Sequence, residues 1–223
     1  MFAALVSGGK DSLYSLYLMR ENIKYVVSLI SENQESYMFH VPNIEFVKYQ
    51  ASSMNLPLIQ KTTKGEKEKE LEDLKAAIKE ISNEIDGLIS GAIASEYQKS
   101  RIERICKELK LQSITPLWHK NPAELIRKMI DDGFEIIITA VAAPPLDEQW
   151  LGRKIDYSCL DEMIVLNKKY GIHVSGEGGE YETFVLDCPL FAKKIEVVES
   201  EKIWDENTKS GILEIKKIKL VRK

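Results

Sequence analysis

Short apolar runs alternating with amphipathic helical stretches predict an α/β protein: a parallel sheet linked by crossover helices, followed by a second, smaller α/β domain. Two further features support this. A glycine-rich turn at Ser7–Ser12 joins the first apolar run to the first helical stretch, as at a strand end that receives a ligand. The pattern then changes around Pro116 and Pro122 and the tail becomes β-rich, so 1–119 and 120–223 read as separate domains.

Phe2-Ala3-Ala4-Leu5-Val6 is short and apolar enough for a buried strand, and Asp11–Arg20 carries Leu13, Leu16 and Tyr17 on one helical face. Tyr25–Ile30 reads as the second strand. Pro42 opens a helix with Ile44, Val47, Ala51 and Met54 at helical spacing, and Leu58–Gln60 is a short strand. The charged stretch Gly65–Glu84 sets Leu71, Leu74, Ile78 and Ile81 on one stripe, which suits a core-facing helix better than a coiled coil. Gly87–Gly91 is the fourth strand, and Glu96–Leu109 buries Ile102, Ile105, Cys106 and Leu109. Ligands of such sheets sit at the carboxyl ends of strands, here Ser7–Ser12, Ser31 onward and Gly91–Ser95.

Beyond the junction, a helix over Pro122–Asp131 precedes Phe134–Val141, an unbroken apolar strand. Ala142–Leu146 is a proline-rich turn, and Tyr157–Tyr170 is an amphipathic helix. Lys194–Val198 and Ile212–Val221 are strands on either side of a polar turn at Asp205–Gly211. In the last strand Leu213 and Ile215 share one parity while Ile218 and Leu220 share the other. A β-bulge or a face switch is therefore expected at Lys216–Lys217.

Composition narrows the function classes. The 223 residues carry a formal net charge of −4, which argues against a nucleic-acid partner held by bulk electrostatics. A local basic patch around Lys99, Arg101 and Arg104 is compatible with that balance. No apolar stretch approaches the roughly 20 residues of a membrane span, and the N-terminus lacks the basic leader of a signal peptide. Cys106, Cys159 and Cys188 are widely separated and form no C-x-x-C pair, so neither a zinc knuckle nor a dithiol redox site is expected. A reduced, cytoplasmic compartment fits.

The most informative string is SGGKDS at Ser7–Ser12. Gly8 and Gly9 permit positive φ and close backbone approach, so successive N–H groups can converge on one phosphate. Lys10 adds a full positive charge, Ser7 and Ser12 add hydroxyls, and the following helix contributes the positive end of its dipole. The spacing is not that of the nucleoside-triphosphatase P-loop, which places four residues before its Gly-Lys pair. It matches the PP-loop, S-G-G-x-D-S, of the N-type ATP pyrophosphatases. The plainer reading, a serine- and glycine-rich turn capping an ordinary helix, leaves the complete motif unexplained.

The second unusual string is GEGGEYET at Gly176–Thr183, which makes a poor core and a poor regular strand. Gly178 and Gly179 can form another nest of N–H groups. If Glu180–Val185 is extended, Glu180 and Glu182 share one face and Tyr181 and Thr183 the other. Paired carboxylates suit a cation, magnesium or an amine. A solvated loop with incidental charge would account for the composition equally well.

On four strings the chain resembles the diphthine–ammonia ligase (diphthamide synthase) family: SGGKDS at Ser7–Ser12, SYMFH at Ser36–His40, GAIASEYQKSRIE at Gly91–Glu103, and GEGGEYETFVLDCPLF at Gly176–Phe191. PLWH at Pro116–His119 supports the match. The resemblance runs from the first residues to Phe191, and its last string is far more discriminating than the PP-loop. It implies a Rossmann-like nucleotide-binding domain (1–119) followed by a smaller α/β substrate domain (120–223), as in archaeal stand-alone members without the further C-terminal domains of eukaryotic ones. The implied reaction is ATP-dependent amidation of diphthine on translation elongation factor 2 by ammonium, through a carboxyl-adenylate, giving diphthamide, AMP and pyrophosphate. Magnesium is the implied metal.

Site residues follow from motif and resemblance together. Lys10, Asp11, Glu180 and Glu182 are the catalytic candidates, with Asp11 as metal ligand or helix cap. Ser7, Gly8, Gly9, Lys10, Asp11, Ser12, His40, Gly91 and Ala92 are candidates for the nucleotide; by itself a lone histidine such as His40 is ordinarily structural. Tyr97, Gln98, Arg101, Gly178, Gly179, Glu180, Tyr181 and Thr183 are candidates for the acceptor, Tyr97 and Arg101 being i, i+4 neighbours. Cys188 reads as structural, and Trp118 and Trp150 as core, although aromatic faces also bind the quaternary ammonium of diphthine. A homo-oligomer is left open. The competing readings are a different N-type ATP pyrophosphatase, thiolating tRNA or forming another amide, and a non-catalytic nucleotide-binding protein. Paired cysteines and a basic RNA surface would favour thiolation, and neither is visible.

Overall fold

The computed structural model describes residues 1–33, 42–66 and 68–223, which separate into two compact units, Met1–His119 and Lys120–Lys223. Unit 1 is built on a five-stranded sheet of β1 (Phe2–Leu5), β2 (Ile23–Ser31), β3 (Leu58–Thr63), β4 (Gly87–Ile89) and β5 (Gln112–Ile114). All pairs are parallel and the order is β3-β2-β1-β4-β5. Parallel neighbours require crossovers, supplied by α1 (Lys10–Leu18), α2 (Val47–Ser53), α3 (Lys69–Lys79) and α4 (Glu96–Glu108).

The apolar stripes read from the sequence do the packing. Leu71, Leu74 and Ile78 of α3 and Ile102, Ile105 and Cys106 of α4 close over Ala3, Val27, Leu29 and Leu88 of the sheet in one buried cluster. α1 buries Leu13, Tyr14 and Leu16, and α2 buries Val47 and Ala51. The helix expected after Pro42 begins as a short 3₁₀ turn, Ile44–Phe46, before α2. The expected Gly65–Glu84 helix is regular only over Lys69–Lys79, although Ile81 beyond it is still buried. β5 went unread: three partly exposed residues beside the junction give no periodic signal.

Unit 2 is a four-stranded antiparallel sheet, β7-β6-β9-β8, of β6 (Glu135–Val141), β7 (Tyr181–Asp187), β8 (Lys193–Asp205) and β9 (Ser210–Arg222). Two helices, α5 (Pro122–Asp131) and α6 (Tyr157–Tyr170), accompany it. Asn121 caps α5, its Oδ1 accepting the Ala123 and Glu124 N–H groups, and Asp156 caps α6 at the Cys159 N–H. The apolar run over 134–141 becomes an interior strand, paired with β7 on one side and β9 on the other. Register shifts between Val197 and Ser200, opposite Ile215–Ile218, supply the bulge that the parity change demanded. Leu213, Ile215 and Ile218 are thereby all buried. No described helix is long and apolar enough to cross a membrane.

Phe184 of β7 is wholly buried at the centre of this second core. Phe184→Ala is expected to destabilise unit 2 by about 3–5 kcal/mol through lost burial and the cavity left behind. The urea midpoint of the transition reporting on residues 120–223 measures it.

Candidate functional site

β1 lies at the centre of the parallel sheet, with β2 on one side and β4 on the other. Strand order reverses there, and the carboxyl ends of β1 and β4 open the crevice in which such sheets bind ligands. The turn leaving β1 is Ser7–Ser12. Gly8 takes φ +90°, where a side chain would be strained. Gly9, expected to share that freedom, is instead extended at φ −80°, ψ 167°, and stands at the N-cap of α1 with no side-chain cap bond. The first turn of α1 thus meets the crevice without a capping side chain, as an anion site requires.

Side chains brace this turn from within. The Ser12 hydroxyl donates to the Gly9 carbonyl at 3.0 Å, accepts the Ser7 N–H at 3.2 Å, and lies 3.2 Å from the Ser7 hydroxyl. The Lys10 side chain is only 3% exposed, and its Nζ donates to Asp11 Oδ2 at 2.7 Å. Across the crevice Gly91 packs on the same turn. A Cβ there would lie 2.7 Å from the Ser12 nitrogen and 2.8 Å from the Asp11 carbonyl carbon, both backbone atoms that cannot step aside. Ala92 follows, buried. These residues fit a polyphosphate: an uncapped helix start, a glycine at positive φ, a buried lysine, and a strand end that admits no side chain.

One brace was not anticipated. Gln50 of α2 is fully buried, and its Nε2 donates to the Gly8 carbonyl at 3.0 Å. The signal for it was a polar residue one turn beyond Val47 on an otherwise apolar face. His40 lies outside the described residues.

Tyr97, Gln98 and Arg101 stand at the start of α4, just beyond Gly91 and Ala92. The Gln98 N–H donates to the Ser95 hydroxyl, which caps the helix. The Arg101 guanidinium lies over the Tyr97 ring, 3.4 Å from its centroid. It also donates to Glu68 Oε1 at 2.9 Å, while Arg104 reaches Glu68 Oε2 at 3.2 Å. These bonds, Arg101's first, hold the Glu68 carboxyl below its usual range. Lys99 sits 4.5 Å from the Trp118 ring centroid and pairs with Glu103 at 3.3 Å. The basic patch suspected from the sequence is therefore largely neutralised in place.

The Gly176–Thr183 segment belongs to unit 2, where its geometry departs from the expected pair of carboxylates on one face. β7 starts only at Tyr181, with Tyr181 and Thr183 buried and Glu182 exposed. Glu180, just before the strand, folds back on its own loop. Its Oε1 accepts the His173 N–H at 2.8 Å and its Oε2 accepts the Gly178 N–H at 2.9 Å. The expected ligand-facing nest at Gly178–Gly179 also has internal partners, since the Gly179 N–H donates to the Gly176 carbonyl at 3.0 Å. Among the described residues no group of three or more His, Cys, Asp or Glu side chains is arranged to hold a metal.

Cys106, Cys159 and Cys188 are free, buried thiols. Burial pushes the first two up to about 11 and Cys188 up to about 12. A thiol this reluctant to ionise is a poor nucleophile, which fits the structural reading of Cys188.

Two outcomes follow from this geometry. Gly91→Ala forces the end of β4 away from Asp11 and Ser12, and should weaken ATP binding about tenfold, roughly 1.4 kcal/mol, by calorimetric titration. The thiols should resist Ellman's reagent at pH 8 until the protein is unfolded, when all three react. Because the folded state holds these protons above the ordinary value of 9.0, their contribution to stability is complete below pH 9. It declines as pH rises toward 11, so the urea midpoint should fall over that interval.

Comparison with known proteins bears on the whole chain. The family model described as the diphthamide synthase N-terminal domain matches residues 1–113, and that of the diphthamide synthase C-terminal domain matches residues 121–221. A human protein named diphthine–ammonia ligase is 40% identical over 225 aligned residues, covering 90% of this chain and 84% of its own length. The zebrafish protein of that name is 36% identical, with 89% of this chain and 87% of its own covered. The fission yeast protein of that name is 33% identical over 95% of this chain, but only 38% of that longer protein is covered. A solved structure described as a predicted subunit of tRNA methyltransferase from Methanocaldococcus jannaschii is 17% identical and covers 85% of this chain and 98% of its own, with a TM-score of 0.42 too low to bear on function. With both family domains matched in order and relatives this similar over nearly its whole length, the chain belongs to the diphthamide synthase family.

Proposed function

We propose that this chain is a diphthine–ammonia ligase, amidating diphthine on translation elongation factor 2 in the cytoplasm at the expense of ATP. The observation that carries the reading is the uncapped start of α1 beside buried Lys10, at the point where the strand order reverses, in a chain whose relatives are named for this reaction.

The chemistry explains why such a site is needed. A carboxylate does not react with ammonia near neutral pH, because oxide is a hopeless leaving group. Its oxygen attacks the α-phosphorus of ATP, the bond to the β-phosphate oxygen breaks, and a carboxyl-adenylate and pyrophosphate result. Ammonia, once ammonium has given up a proton, attacks the activated carbonyl carbon and AMP departs with the electron pair. In the first step negative charge grows on the leaving pyrophosphate. Lys10 and the first N–H groups of α1 are fixed in advance to receive it, with no reorganisation at the moment of reaction. If magnesium accompanies the nucleotide, Asp11 would be the residue to hold it, and the ion would supply further neutralisation of the phosphate charge. Gly91 and Ala92 admit the nucleotide backbone-first at the end of β4.

On this reading residues 1–119 bind ATP and residues 120–223 serve the acceptor. Tyr97, Gln98 and Arg101, on the first turns of α4 just beyond Gly91 and Ala92, are on this reading available to the acceptor. Glu182, exposed at the start of β7, is suited to ammonium or to the cationic head of diphthine.

The deciding assay supplies purified protein with diphthine-bearing elongation factor, ATP, magnesium and ammonium, and follows AMP. AMP should accumulate only when all are present. Lys10→Ala should lower turnover on the order of 10²-fold while leaving the melting temperature close to that of the parent. AMP release that ignores the modified factor, or full activity in Lys10→Ala, overturns the assignment.

A further inference from the structure

The loop from Ile172 to Tyr181 is organised around His173, a residue outside the strings on which the resemblance was read. Its ring nitrogen Nδ1 lies 3.3 Å from the Ser175 nitrogen, 3.4 Å from the Glu177 nitrogen and 3.1 Å from the Ser175 hydroxyl. Two backbone N–H groups directed at one imidazole nitrogen require a lone pair there, so Nδ1 is unprotonated and the ring proton, in the neutral form, resides on Nε2. The same residue uses its backbone as well. Its N–H donates to Glu180 Oε1 at 2.8 Å, and its carbonyl accepts the Gly176 N–H at 2.9 Å.

Glu180 completes the frame by accepting the Gly178 N–H at 2.9 Å. At its two ends, the Tyr181 hydroxyl donates to the Val174 carbonyl at 2.7 Å, and Asn167 Nδ2 of α6 donates to the Ile172 carbonyl at 2.8 Å. A loop this rich in glycine would ordinarily sample many shapes. Here the backbone N–H groups of residues 173, 175, 176, 177, 178 and 179 all have acceptors inside the loop. What faces outward is the tip, Gly178 and Gly179, with Glu177 half-exposed beside it.

We propose that His173 is a positioning residue of the acceptor site: through Nδ1 it fixes the shape of the 172–181 loop, and Glu180 acts with it as an internal clamp rather than as a catalytic carboxylate. The proposal rests on the amidation reading only for its kinetic consequences. A preordered loop matters to such a reaction because displacing a reacting partner by about an ångström costs on the order of 10²-fold in rate.

The test uses the full chain and three variants. His173→Asn places an acceptor oxygen where Nδ1 stood, whereas His173→Gln and His173→Ala do not. In the parent protein, nitrogen NMR of labelled histidine should show the neutral His173 ring carrying its proton on Nε2 and not on Nδ1. Amide hydrogen exchange at Ser175 and Glu177 should be slow in the parent and in His173→Asn, and fast in the other two. In the AMP assay, kcat should fall at least about tenfold in His173→Gln and His173→Ala with KM for ATP unchanged, and His173→Asn should restore most of the loss. A ring protonated at Nδ1, or an asparagine variant as impaired as the alanine one, overturns the proposal. So does exchange that is indifferent to all three changes. If the parent releases no AMP, the amidation reading fails, while the NMR and exchange measurements still decide the role of His173.

Discussion

The candidate site depends on how closely the chain leaving β4 approaches the turn that leaves β1. Phe2, Ala3 and Ala4 pair in parallel with Gly87, Leu88 and Ile89, so the two strands end side by side. Gly91 then rests against Asp11 and Ser12 with no room for a side chain. That contact fixes the start of α1 relative to the sheet. From the other side Gln50 holds the Gly8 carbonyl, and from within Ser12 ties Gly9 and Ser7 together. A buried hydrogen bond of this kind contributes only about 1 kcal/mol net, but leaving its partner unsatisfied costs more. The braces therefore act chiefly by excluding other shapes of the turn, which is the preorganisation an anion site needs.

Most of unit 1 was legible in the sequence because its elements other than β5 carry signals that are local and periodic. The stripe of Leu71, Leu74 and Ile78 and the stripe of Ile102, Ile105 and Cys106 announce two helices and the face each buries. The parity change after Ile215 announced the bulge between β8 and β9, since only an irregular register keeps Ile218 on the buried face. What stayed hidden depends on contacts distant in sequence. β5 is three residues that gain strand geometry only by pairing with Gly87–Ile89. Gln50 looks like a misplaced polar residue until Gly8 comes within reach, 42 positions earlier.

The glutamate-rich loop teaches the converse. Parity along an assumed strand put Glu180 beside Glu182, but parity holds only inside a strand, and this one begins at Tyr181. One residue earlier the backbone is still turning, and the nearest unsatisfied donors are the loop's own N–H groups. A carboxylate there is drawn to them, because charge-assisted bonds to backbone N–H groups are among the stronger ones a loop can make. The motif is unusual for a reason composition could not convey: one of its three carboxylates holds the loop in shape.

Charge finally separates what the two units can hold. The start of α1 has no side-chain cap and has Lys10 buried beside it, paired with Asp11, which suits a polyphosphate. The outward carboxylates, Glu177 and Glu182, lie in unit 2, where they suit a cation and would repel a nucleotide at close range. A thiolating enzyme would need a reactive sulfur, whereas the three thiols here are buried and held in their protonated form. The two units thus differ in what they present: an uncapped helix start beside a buried lysine in one, outward carboxylates in the other.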